Sequence, residues 1–116
     1  METTDNGILK IYASTTDRIG SRILYEYIVY EAKEAGITGI TVFRGIMGFG
    51  PSSEISSSKY WELTEKLPIA IELVDEISIL KDFYSRIEEE LISMPKGCLV
   101  TLEPVKVMLQ KKGRTD

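Results

Sequence analysis

Leu67-Pro68-Ile69-Ala70-Ile71-Glu72-Leu73-Val74-Asp75 reads as a strand that runs directly into a helix, and its position in the chain decides the fold. Ile69, Ile71 and Leu73 alternate with Ala70, Glu72 and Val74, so the two sets lie on opposite faces of the strand. Pro68 has no amide hydrogen and fits only near the start of such a strand. After Asp75 the period changes: Ile77, Leu80, Tyr84, Ile87 and Leu91 recur at three and four residues, the stripe of an amphipathic helix. Asp75 is the expected N-cap, with Glu76 favourable in the first turn. Glu88, Glu89 and Glu90 point three ways from a helix and read as its solvated side, not as a metal cluster.

An earlier unit has the same form. Ile8 to Ala13 is a short apolar strand, and Thr15 to Gly20 is a polar connection. Ser21 to Ala35 is a helix whose inner face carries Leu24, Ile28, Ala32 and Ala35. Gly36 ends it by taking the left-handed conformation. Ile37 to Phe43, rich in β-branched residues, is the second strand. At the far end, Ser93 to Gly97 is a turn, and Leu99 to Leu109 is strand-like but interrupted by Pro104. The order is βαββαβ, an α+β chain. Right-handed crossovers convert it into a ferredoxin-like four-stranded antiparallel sheet with both helices on one face. The other face is bare and should carry some of Tyr12, Val42, Val74, Val100 and Leu102. That set is too apolar to leave in water, so the face is expected to pack against other copies, and a trimer closes three such sheets.

Composition narrows the function. The 116 residues, 43% hydrophobic and 28% charged, suit one domain spanning 1–116 with a single core. A net charge of -4 argues against nucleic acid. The basic residues Lys106, Lys111, Lys112 and Arg114 gather at the end, in a tail expected to be flexible from about 110. One cysteine, Cys98, excludes an internal disulfide and a multi-cysteine metal cage. Its place in Cys98-Leu99-Val100 suits a small buried hydrophobe better than a nucleophile. With no histidine there is no Ser-His or Cys-His pair and no common general base, which weighs against an enzyme. Glu72 and Asp75, on opposite strand faces, do not form a paired-carboxylate site. The polar N-terminus has no signal-peptide form and no run approaches the roughly 20 apolar residues of a membrane span. A cytoplasmic protein without membrane insertion is the expectation.

The chemistry concentrates where the second strand ends, in Arg44-Gly45-Ile46-Met47-Gly48-Phe49-Gly50. Gly45, Gly48 and Gly50 allow close backbone approach to a phosphate, Arg44 offers a planar cationic fork and Phe49 a ring for stacking. The spacing matches neither common nucleotide-binding glycine motif. The loop from 45 to 67 is about 23 residues long, beyond the roughly 12–15 that a compact domain tolerates without a functional reason. Ser52, Ser53, Ser56, Ser57 and Ser58 give it little to pack, and Tyr60 and Trp61 are expected to dock on a neighbouring subunit or partner protein. Met94-Pro95-Lys96-Gly97 is, by itself, a turn with an exposed lysine.

Ile40 to Gly50, Leu67 to Asp75 and Gly97-Cys98-Leu99-Val100-Thr101-Leu102-Glu103, together with Leu9-Lys10-Ile11-Tyr12 and Leu24-Tyr25-Glu26, resemble the family known as domain of unknown function 190. That family is similar to the PII signal-transduction proteins. The resemblance implies a homotrimer of ferredoxin-like subunits binding an adenine nucleotide (ATP, ADP or AMP) between subunits, with the long loop as effector arm. It puts Gly45 to Gly50 at the base of that arm and makes Met94 to Gly97 the phosphate-contacting turn, of which Lys96 and Gly97 match the PII pattern. No cofactor is required. The alternative is a ligand-independent module whose loop docks on a membrane transporter or an enzyme.

Overall fold

The computed structural model describes residues 5–51, 55–57 and 66–114. Four strands form the main sheet: β1 (Asn6–Ser14), β4 (Gly39–Arg44), β7 (Pro68–Glu76) and β8 (Leu99–Val105). Two-residue strands β2 (Arg18–Ile19) and β3 (Arg22–Ile23) make a hairpin before helix α1 (Leu24–Ala35), and β5 (Met47–Gly48) pairs with β6 (Ser56–Ser57) inside the long loop. Helix α2 (Ile77–Ser93) follows β7 without a connecting loop. The main sheet runs β4-β7-β1-β8 with every neighbour antiparallel, the ferredoxin-like order.

Alternation along the central strands places the core. Leu9 and Ile11 on β1 and Ile69, Ile71 and Leu73 on β7 are buried beneath Leu24, Ile28 and Ala32 of α1 and Leu80, Phe83, Ile87 and Leu91 of α2. Phe83, not Tyr84, is the fully buried aromatic of α2, because the inner stripe starts at Leu80 and runs 80-83-87-91. Gly36 has φ 79° and closes α1, its N–H reaching the carbonyls of Ala32 and Lys33. Helix α1 begins at Leu24, later than its sequence periodicity predicts, since Arg22 and Ile23 are held in the hairpin.

Three expectations need correction. Val42, Val100 and Leu102 lie on the helix-covered face, because they stand opposite Ile71, Ile11 and Leu9. The bare face carries Tyr12 and Val74, as expected, joined by Phe43 and Leu99 around Lys10, which is paired with Glu103 at 3.3 Å and Glu72 at 3.9 Å. Asp75 is no helix cap: it is buried in β7, where its Oδ2 accepts the Thr38 amide at 3.0 Å and its Oδ1 the Glu76 amide at 2.7 Å. The last strand continues through Pro104 to Val105, as an edge strand can without one amide, and residues 106–114 form neither helix nor strand.

Candidate functional site

The end of β1, the end of β4 and the α2–β8 turn meet at one edge of the sheet. Gly45 sits against the start of β7: its N–H donates to the Pro68 carbonyl at 2.7 Å, and a Cβ there would lie 3.0 Å from the proline ring. A side chain here would press on the proline ring, which would have to give by a few tenths of an ångström, so glycine suits this close approach. The chain then rises through β5, where Gly48 stands opposite Ser56 and Met47 opposite Ser57. On the other side of the base, Leu67 donates its amide to Thr15 Oγ1 at 3.0 Å and accepts the Thr15 amide at 2.9 Å.

A cleft of about 240 Å³ opens beside this base. Gly48, Phe49, Gly50 and Pro51 wall one side, Lys96 and Gly97 the other, Lys66 and Pro68 close the base, and Tyr12 and Leu99 continue it onto the bare sheet face. Five of the seven residues expected to contact a ligand thus line one cavity. Arg44 and Gly45 do not. Alternation in β4 turns Arg44 to the helix side, where it borders a second cleft of about 630 Å³ with Thr15, Thr16, Arg18, Ile23, Tyr25, Val42 and Ile69. Gly45 acts through its contact with Pro68. Of the loop residues expected to bind a partner, Ser52, Ser53, Ser58, Tyr60 and Trp61 lie outside the described residues, and Ser56 and Ser57 form β6.

The first cleft also holds a residue that sequence reasoning missed. Asp17 is 5% exposed and lines the cavity. Its Oδ2 accepts the Ser14 amide at 2.9 Å, and its own N–H donates to the Ser14 carbonyl at 3.1 Å, a tight turn at the end of β1. Burial pushes its carboxyl above the ordinary value, an effect opposed by the Ser14 amide and by Lys66 and Lys96. Its signal was a Ser-x-x-Asp turn directly after a strand, which is common enough to pass unnoticed. Burial, then the Asp17 charge, also pushes the Cys98 thiol up, so this sulfur is a poor nucleophile.

The cavity therefore presents two lysines, backbone from two glycine-containing turns, an exposed phenylalanine ring and one buried carboxylate. That arrangement can hold an anionic group with an attached flat ring. Among the described residues no cluster of three or more metal-ligating side chains exists, and no helix is long and apolar enough to cross a membrane.

Solved structures with this fold include a protein of Thermus thermophilus described as PII-like, 18% identical, with a TM-score of 0.62 over 90% of this chain and 91% of that one. CPII of Thiomonas intermedia K12, a nitrogen regulatory PII-like protein solved with ADP, AMP and bicarbonate, also gives 0.62, at 13% identity over 87% and 88% of the two chains. At these identities the likeness is one of fold. A UPF0166 protein of Aquifex aeolicus is nearer in sequence, 35% identical over 108 residues, which are 93% of this chain and 98% of that protein. The model of family DUF190, described as "Uncharacterized ACR", matches residues 7–107, from β1 to just past β8. The chain belongs to this family, on a PII-like ferredoxin fold.

Proposed function

We propose that this protein is a PII-like regulator that binds an adenine nucleotide in the cleft between Gly48–Pro51 and Lys96–Gly97 and signals through the loop above it. One observation carries the reading: the glycine-rich exit of the second main strand and the lysine-bearing turn before the last strand converge on the same cavity. Phosphates would sit against Lys96 and the Gly97 backbone, with Lys66 at the base and Phe49 beside the base ring. The adenine nucleotides bound by CPII, which has the same fold, support the ligand class.

The size of the cavity favours an assembly. About 240 Å³ falls below the roughly 300–1,000 Å³ of sites that enclose a small ligand. A neighbouring copy seated on the adjoining bare face, with its exposed Tyr12, Phe43 and Leu99, would complete the enclosure. Val107, Met108 and Leu109, exposed beyond the last strand, would add apolar surface to such a contact. In the proposed trimer three clefts form, one at each interface.

Calorimetric titration of the full chain with ATP, ADP, AMP and cyclic nucleotides tests the ligand, and silence across all of them removes the nucleotide from the proposal. Ile46, Met47, Phe49 and Ile55 are all exposed along the loop, which favours a second reading as a partner-docking module on a transporter or enzyme. Replacing Ile46 and Ile55, exposed on the loop and outside the cleft lining, by serine separates the two: a regulator keeps its nucleotide affinity and loses its target. A non-catalytic role fits the lack of histidine and the raised thiol of Cys98.

A further inference from the structure

The cleft between the start of α1 and the end of β4 has a charge pattern that the first cleft does not use. Among the described residues its two charged groups, Arg18 and Arg44, have the same sign, and no carboxylate lines it. Among the described residues Arg44 has no hydrogen-bond or ion-pair partner, and Arg18 donates one bond, from Nη1 to the Ser21 carbonyl at 3.1 Å. Two other arginines of the folded body are engaged: Arg86 reaches Glu31 at 3.4 Å, and Arg22 lies 5.2 Å from the centre of the Tyr27 ring. Two guanidinium groups without a carboxylate partner, in a concavity of a chain with net charge -4, concentrate positive potential against the overall field.

We propose that this cleft is a second ligand site, which takes a phosphate monoester with a small apolar or aromatic body. A monoester carries about -1.5 to -2 charges at neutral pH, which matches two arginines. Each guanidinium fork can grip two phosphate oxygens. The Thr16 and Tyr25 hydroxyls border the same space as further donors, while Val42 and Ile69 supply an apolar wall for the ligand body. Its volume of about 630 Å³ lies within the range that encloses a small organic molecule. The start of α1 carries no side-chain cap, and Ile23 and Tyr25 on either side of it line the same cleft. The proposal stands independently of the nucleotide reading of the first cleft.

Phenyl phosphate and inorganic phosphate, titrated into the isotope-labelled full chain and followed by amide chemical shifts, test it. Saturable shifts are expected at Thr16, Arg18, Tyr25 and Arg44, with phenyl phosphate the tighter of the two. Arg18→Ala and Arg44→Ala should each weaken phenyl phosphate by about tenfold, the loss of one charge-assisted contact. Both side chains are exposed, so neither change should disturb the fold. Shifts confined to Gly48–Gly50 and Lys96–Gly97, unchanged affinity in Arg44→Ala, or preference for succinate over both phosphates would overturn the proposal.

Discussion

Replacing Lys96 by alanine is the sharpest test of the proposed nucleotide cleft, because structure separates its effect on binding from any effect on folding. Lys96 is exposed on the α2–β8 turn and, among the described residues, makes no hydrogen bond or ion pair. Its removal should therefore shift unfolding free energy by no more than about 0.5 kcal/mol. A phosphate contact from a charged donor is worth about 1.5–3 kcal/mol. The lower end applies here, since an exposed ammonium is partly screened by water. About 1.5 kcal/mol corresponds to a Kd for ADP raised about tenfold. Titration calorimetry on the wild type and Lys96→Ala, at low and moderate salt, reads this directly. The wild-type affinity should fall with salt and the variant's should fall less. An ADP affinity unchanged within about twofold would refute the assignment of Lys96, and equal salt slopes would show that the phosphates lie elsewhere.

Three further outcomes follow from the packing. At Gly7→Ala the new Cβ would stand 2.8 Å from Ile77 Cγ1 and 2.9 Å from the Glu103 carbonyl oxygen. Overpacking of about 1–3 kcal/mol, less a gain of about 0.4–1 kcal/mol from a stiffer unfolded chain, leaves a loss of about 1–2 kcal/mol in urea unfolding. Asp75→Ala strips acceptors from the Thr38 and Glu76 amides in a buried setting. It should cost about 2–4 kcal/mol by denaturant melt, and a loss below about 1 kcal/mol would mean that water replaces the carboxylate. Asp17 has the unusual sign for a carboxylate. Its pKa in the folded protein is raised, so the folded state holds its proton more tightly and its contribution improves as pH falls. Asp17→Asn keeps an acceptor for the Ser14 amide and removes that dependence. The stability difference between Asp17→Asn and wild type, measured by urea melts from neutral pH downward, should therefore move in favour of the wild type as pH drops through the raised pKa. A difference that is flat with pH would place the charge in water.

The sequence carried the element order because each element has a strong period and a clear stop. Ile69, Ile71 and Leu73 could only be a strand, and Gly36 could only end a helix, so the topology was legible before any coordinates. What failed was phase and facing. In α2, Phe83 and Tyr84 compete for the same stripe, and one residue of phase, set by packing on β1 and β7, decides between them. In β8, Val100 and Leu102 could face either way by alternation alone. The tie is broken across the sheet, where Thr101 and Glu103 lie on the same face as Lys10. The candidate site divided for the same reason. Gly48 to Gly50 and Lys96 to Gly97 are far apart in the chain yet share a cavity, while Arg44, close by in sequence, faces the other way because a strand alternates. Asp17 was hidden because its neighbours Lys66, Lys96 and Cys98 are remote in the chain and come beside it only in the fold.

The bonds at the loop base have a consequence for how this protein can diversify. Gly45 is tied to Pro68, and Leu67 to Thr15, so both ends of the 45–67 excursion are fixed by the sheet and not by the residues between them. Closing a chain between fixed ends costs only about 0.6 kcal/mol more for each doubling of its length. Insertions between β6 and Lys66 should therefore be nearly neutral for folding, while the β5–β6 pairing and the cleft walls at Gly48–Pro51 and Lys66 stay in place. That part of the loop can be rewritten at almost no thermodynamic penalty, and the proposed nucleotide cleft beneath it need not change.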